Sequence, residues 1–325
     1  MKRYRLISAL AVFWMAACGT GEDVTKPRQN TKPSQDKGTS QDTGASQSTN
    51  GILSSPEFKE FKTDFAQKFA GFNSLSPEVL YQIIEAVPEQ QTTWSCGLVQ
   101  SSIARASASL ALGLPIEHKE VAKCNIKLDY PLLIDRKIPK SVVAVLTKGA
   151  KAKGFDLKFE DLGGEKYFRV GADPRALPDY LNENKKLPSQ IRASYVGKQN
   201  LDKAALVAMV EENLKSGMPL MVLSIPNLEK FELHYYSIFG VNANKNEVMV
   251  LETKGKGLDR ILKYDIDDFI NKMDAEDFRM KAEELLNDPA LIIGVKLLDP
   301  TFELPPVQKI RSLPNYNMIK FTKSP

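Results

Sequence analysis

Residues 89–112 read EQQTTWSCGLVQSSIARASASLAL. A polar loop carrying Gln90, Gln91 and Trp94 runs into Cys96-Gly97, and an Ala/Ser/Leu-rich stretch follows up to Gly113-Leu114-Pro115. That composition predicts a helix from about Cys96 to Leu112, stopped by the glycine and proline and small enough in side chain to pack tightly in a core. Cys96 then sits in the first turn of a buried helix. Backbone N–H groups are unpaired there, and the positive end of the helix dipole favours the nucleophilic thiolate. Gly97 leaves room beside the sulfur for a substrate backbone. A free cysteine is also among the most commonly buried residues, so the rest of the chain decides between a nucleophile and a packing residue.

Upstream, Phe58, Phe61, Phe65 and Phe69 recur at three- and four-residue spacing, which predicts an amphipathic helix. Ser76-Pro77-Glu78 predicts a capped second helix, ended by Val87-Pro88. Downstream, helical patterns cover Ile138 to Lys151, Asp173 onward and Asp202 to Ser216, with FDLKFEDL and residues 190–196 read as strands. Four apolar runs follow in close order: PLMVLSI, HYYSIFGV, EVMVLE and RILKYD. They predict an antiparallel meander. Helices open at Asp267 and Ala275, LIIGVKLL reads as a last strand, and PTFELPPVQ as a loop or extended arm. Helices first and an antiparallel sheet after them make an α+β fold, with the N-terminal helices packed on the sheet.

A thiol nucleophile needs a base, and the chain offers only two histidines. His118 stands among charges in PIEHKE and reads as a solvated helix residue. His234 opens the apolar strand HYYSIFGV straight after a polar loop, where a scaffold presents a side chain to a cleft. Folding the next strand back about Asn244 sets His234 opposite Lys254 with Glu252 diagonal to it, and a turn centred on Ala243 would put Glu252 directly opposite. An acid there can hold the imidazole ring. Gln90 or Gln91, in the loop before Cys96, could donate to an oxyanion. Zinc ligation by Cys96, Cys124, His118 and His234 is disfavoured, because no two of them have the short spacing of paired ligands.

Glutamine, six residues later Cys-Gly at a helix start, His-Tyr heading an apolar strand and then a strand ending in an acid together resemble papain-like cysteine peptidases. The order KSGMPLMVLSI, HYYSIFGVNANKNEVMVLE, IDDFINKM is similar to the bacteriocin-processing (double-glycine leader) branch. The resemblance runs from about Gln90 to Met273. It implies Cys96 as nucleophile, His234 as general base and acid, Gln90 as oxyanion donor, Glu252 as the orienting acid, a peptide or protein substrate and no cofactor. Two positions depart from the branch: Ser95 stands where it usually has Asp, and Glu252-Thr253 where it has Asp-Pro. The alternative is a catalytically inactive binding module stapled by a Cys96–Cys124 disulfide, whose loop of about 27 residues would contribute about 3 kcal/mol.

The N-terminus carries a different signal. MKRYR is a basic head, and LISALAVFWMAA is an apolar run too short to span a bilayer. It ends in Met15-Ala16-Ala17-Cys18-Gly19, which resembles the lipobox of bacterial lipoproteins. That resemblance implies a signal peptide over residues 1–17, lipid on Cys18, and an outer-membrane anchor in a Gram-negative envelope. Residues 18–55 are nearly all Gly, Ser, Thr, Gln, Asp, Lys or Pro, which cannot bury enough apolar surface to offset ordering. They predict a disordered tether, leaving 56–325 as the peptidase-like domain. The net charge of +4, with no block of Lys or Arg, argues against a nucleic-acid partner.

Overall fold

The computed structural model describes residues 49–89, 96–116, 133–154, 160–162, 165–172, 174–183, 187–227, 232–302, 304, 307–311 and 314–323. In chain order the elements are α1 (Thr49–Ile52), α2 (Pro56–Lys68), β1 (Asn73–Ser74), α3 (Pro77–Ala86), α4 (Cys96–Ala111), β2 (Leu133–Ile138), α5 (Lys140–Ala152), β3 (Glu160–Leu162), β4 (Glu165–Ala172), α6 (Ala176–Glu183), β5 (Ile191–Lys198), α7 (Lys203–Lys215), β6 (Leu220–Asn227), β7 (Glu232–Asn242), β8 (Glu247–Leu251), a 3₁₀ turn (Gly257–Arg260), β9 (Ile261–Asp265), α8 (Ile266–Met273), α9 (Glu276–Leu286), α10 (Pro289–Leu298), α11 (Val307–Arg311) and β10 (Tyr316–Lys323). The fold mixes α and β, with helices packed on an antiparallel sheet.

Local chemistry accounts for the N-terminal helices. The Ser55 hydroxyl accepts from Phe58 N at 3.1 Å, and the Ser76 hydroxyl accepts from Val79 N at 3.3 Å. Each serine precedes a proline in the first turn, where the missing N–H costs nothing. Phe58, Phe61, Phe65 and Phe69 all turn into one cluster with Tyr81, Ile83 and Ile84 of α3. The cluster continues into Val99, Ile103 and Ala106 of α4 and Phe239, Met249 and Leu251 of the sheet. The first three helices are therefore anchored to the meander through α4.

The main sheet runs β5-β10-β6-β7-β8-β9, with β1 on β7. Strands β6 to β9 form the expected meander. One face is covered by α4, α5, α6, α9 and α10, which meet Met221, Leu223 and Tyr235. The other is covered by α7 and α8, whose Leu206, Val210, Phe269 and Ile270 meet Val222, Tyr236, Ile238 and Val250. Both faces of β6 to β8 are buried, which explains their near-continuous apolar sequences.

Three features depart from expectation. LIIGVKLL is not a strand but most of α10: Asp288 accepts from Ala290 N and Leu291 N, and Pro289 occupies the first turn. That cap and proline are a helix-start signal in the sequence just before the run of branched apolar residues. The C-terminal segment contributes β10, inserted between β5 and β6 and paired with β5 over Ile191–Lys198. Strands β2, β4 and β3 form a separate three-stranded antiparallel sheet. The expected strand FDLKFEDL is seen only at Glu160–Leu162, its first residues lying outside the described ones. Among the described residues no helix is long and apolar enough to cross a membrane.

Candidate active site

Cys96 is the first residue of α4, buried to 2 % exposure, and its thiol is free. Its sulfur lies 4.0 Å from the carbonyl oxygen of Leu233, the residue before His234. The helix start and the head of β7 therefore meet. The His234 ring is near enough to Cys96 for the sulfur to bear on its protonation, and it hydrogen-bonds to Glu252. The second contact is His234 Nε2 to Glu252 Oε1 at 2.7 Å. With Nε2 held by the carboxylate, Nδ1 is the ring nitrogen left for the sulfur.

The strand register decides whether His234 and Glu252 can meet. Near the turn, Asn242 pairs with Glu247 and Gly240 with Met249. Continued unchanged, that register would put His234 and Glu252 on opposite faces, because side chains alternate. A bulge intervenes: Ile238 pairs with Val250 and Ser237 with Leu251, leaving Phe239 as the extra residue on β7. Beyond it the register is the one expected for a fold about Asn244. Lys254 would face His234, and Glu252 is its diagonal neighbour on the same face.

Glu252 is itself held. Thr253, fully buried, donates its backbone N–H to Glu252 Oε1 at 2.6 Å and its hydroxyl at 3.0 Å. The backbone N–H of Glu252 donates to Arg260 O at 2.7 Å, and Arg260 Nε donates back to Glu252 O at 3.2 Å. The ring of His234 packs edge-on against Tyr236 with centroids 4.7 Å apart. Burial pushes the Tyr236 hydroxyl pKa up, and the nearby Glu252 charge adds to it.

The electrostatics follow from these contacts. Burial disfavours the imidazolium of His234, but its interactions with Cys96 and Glu252 as acceptors and their negative charges outweigh it, and the pKa rises from 6.5 to about 9. Burial would raise the carboxyl of Glu252, yet the hydrogen bond and charge of His234 and the donors of Thr253 hold it below the usual range. A raised histidine stabilises the fold fully below its unfolded pKa of 6.5, and that stability is lost as pH climbs toward about 9. Glu252 works in the other direction, so its contribution is lost as pH falls through the carboxylate range. The urea midpoint of the wild type should therefore decline between pH 6.5 and about 9, and His234→Ala should remove most of that slope. Equal slopes in both proteins would show that the ring is not held this way.

Three of the expected site residues, Cys96, His234 and Glu252, are thus brought together. Gln90, Cys18, Cys124 and His118 lie outside the described residues. Three residues of this neighbourhood were not foreseen from the sequence: Thr253, Arg260 and Gln100. Gln100 had a readable signal, as the lone amide of the helix, one turn past the cysteine. Among the described residues no group of three His, Cys, Asp or Glu side chains could hold a metal ion. No protein-family model, no curated protein and no solved structure matches this chain, so its function has to be argued from the geometry of these residues.

Proposed function

We propose that the chain is a papain-like cysteine peptidase, similar to the bacteriocin-processing (double-glycine leader) branch and held at the cell envelope by lipid on Cys18. One observation carries the reading. A cysteine at a helix N-terminus stands beside a histidine whose Nε2 is fixed by a carboxylate at 2.7 Å. That is the nucleophile, base and orienting acid of a thiol acyl-transfer site. The placement of the cysteine on a buried helix and of the histidine on an antiparallel sheet supports the papain-like reading of the fold.

The chemistry follows. The Cys96 sulfur attacks the carbonyl carbon of a peptide or amide bond. The C–N bond breaks as the His234 imidazolium gives its proton to the leaving amine, and a thioester remains. Water then attacks the thioester, His234 takes the proton, and the carboxylic acid leaves as the C–S bond breaks. The backbone N–H of Cys96 and the side chain of Gln90 are the donors proposed for the oxyanion.

The test is hydrolysis of casein and of double-glycine leader peptides, followed by mass spectrometry, with the wild type and Cys96→Ala compared. Cleavage by the wild type and its loss in a folded Cys96→Ala protein is the expected result. Equal cleavage by both would overturn the reading. So would thiol mapping without reductant that finds Cys96 joined to Cys124, since that bond leaves a binding module in place of the enzyme.

A further inference from the structure

We propose that Gln100 is the positioning residue of this site, its side-chain amide tying together the three chain segments that carry Cys96, His234 and Glu252. The inference rests on the peptidase reading of the same site.

Gln100 is fully buried. It lies four residues after Cys96, hence one turn along the same face of α4. Its Nε2 donates to Tyr235 O at 3.1 Å and to Leu251 O at 3.1 Å. Its Oε1 accepts from the hydroxyl of Ser237. Tyr235 is the residue after His234, and Leu251 is the residue before Glu252. Paired residues of β7 and β8 end at Ser237 and Leu251, so the segments bearing His234 and Glu252 lie just beyond the last pair. The amide bridges the two strands at that point, through a carbonyl on each. One side chain therefore uses both donors and its acceptor, and each partner is a neighbour or near neighbour of a site residue.

An amide serving only to satisfy buried carbonyls would stabilise α4 without acting on the site chemistry. A positioning role predicts more. If the amide is lost, the first turn of α4 can shift relative to the head of β7, where the Cys96 sulfur lies 4.0 Å from Leu233 O, and Cys96 moves away from the His234 ring. The titratable groups facing the His234 ring are Cys96 from α4, Glu252 after β8 and Tyr236 from β7, with the Thr253 hydroxyl 3.5 Å from Nε2. Of these, the contact with Cys96 depends on α4, because Glu252 is held independently by Thr253 and Arg260.

The experiment is NMR titration of the histidine rings in the full chain, paired with alkylation of Cys96 by iodoacetamide. The chain has only two histidines, so comparison with His234→Ala identifies the ring. Gln100→Met keeps length and apolar bulk and removes every hydrogen bond. The expected result is a His234 midpoint moved down toward 6.5, and alkylation at about pH 6 slowed at least about tenfold. Ser237→Ala removes only the bond to Oε1 and should shift both readouts the same way by less. It carries the test if Gln100→Met does not fold. Unchanged titration and alkylation in the folded variants, with only melting affected, would overturn the role of Gln100. A wild-type ring titrating near 6.5 would overturn the pairing of Cys96 with His234, and with it this role.

Discussion

His234→Ala should slow alkylation of Cys96 by roughly 100-fold at about pH 6 and bring peptide hydrolysis to background. The argument starts from burial. Cys96 is 2 % exposed, and a thiolate there has little water to solvate it. The charge that can offset this is the imidazolium of His234, whose pKa is raised by its contacts with Cys96 and Glu252. Without the ring, the sulfur keeps only the helix start, and the leaving amine has no proton donor. Glu252→Gln tests the third member separately. Thr253 N–H would still bond to the amide oxygen, but the negative charge that favours the imidazolium is gone. A loss of about tenfold, with folding intact, is expected. Mass spectrometry of the carbamidomethylated protein reads the first effect, and a hydrolysis rate reads the second. Alkylation at the wild-type rate in His234→Ala would remove the base from the site, and a Glu252→Gln protein of full activity would move the orienting role to Thr253.

The parts of the site legible in the sequence were those written in local chemistry. A serine before a proline fixes a helix start within one turn, as Ser55 and Ser76 do. Small residues after Cys96 mark a helix that must pack closely, and 13 consecutive buried residues, Cys96 to Ala108, are the outcome. A turn of asparagines places two strands close enough for His234 and Glu252 to be paired in register. The rest depends on contacts between distant residues. Nothing local marks Phe239 as a bulge, yet without it Glu252 would face away from His234. Nothing in YNMIKFTK says that it pairs with β5, more than a hundred residues earlier, since an edge strand and an inserted one have the same alternation. The misread α10 shows the reverse case: a local cap outweighs the β-propensity of Ile292, Ile293 and Val295 because that helix packs on α5, with Leu291 against Gly149.

Arg260→Met should lower the melting temperature by roughly 10 °C, equivalent to about 3 kcal/mol, and also impair the site. The guanidinium is 1 % exposed. Burial works against its charge, and the charges of Glu89, Glu252 and Glu85 oppose that cost. Nη1 donates to Val87 O at 2.7 Å and to Ile84 O at 3.3 Å, and Nε donates to Glu252 O. Ile84 and Val87 close α3, where unpaired carbonyls and the negative end of the dipole favour a cation. Replacing a buried ion pair by apolar residues can be neutral when both partners go. Here the partners are backbone carbonyls that no side-chain change removes, so Met leaves three acceptors buried without donors. Nη2, which has no partner among the described residues, gives back part of that loss, which keeps the expected effect below a simple sum of three bonds. Arg260→Lys keeps the charge but not the fork, and one ammonium cannot reach both the α3 carbonyls and Glu252 with the same geometry, so it should fall between Met and wild type. Because Arg260 joins the end of α3, and thus the chain leading toward Cys96, to the backbone of Glu252, its loss should also slow Cys96 alkylation at about pH 6. Thermal melts and alkylation of the same three proteins decide the matter. A melting temperature within about 2 °C of wild type for Arg260→Met would mean that the carbonyls find other donors, and that Glu252 is held by Thr253 alone.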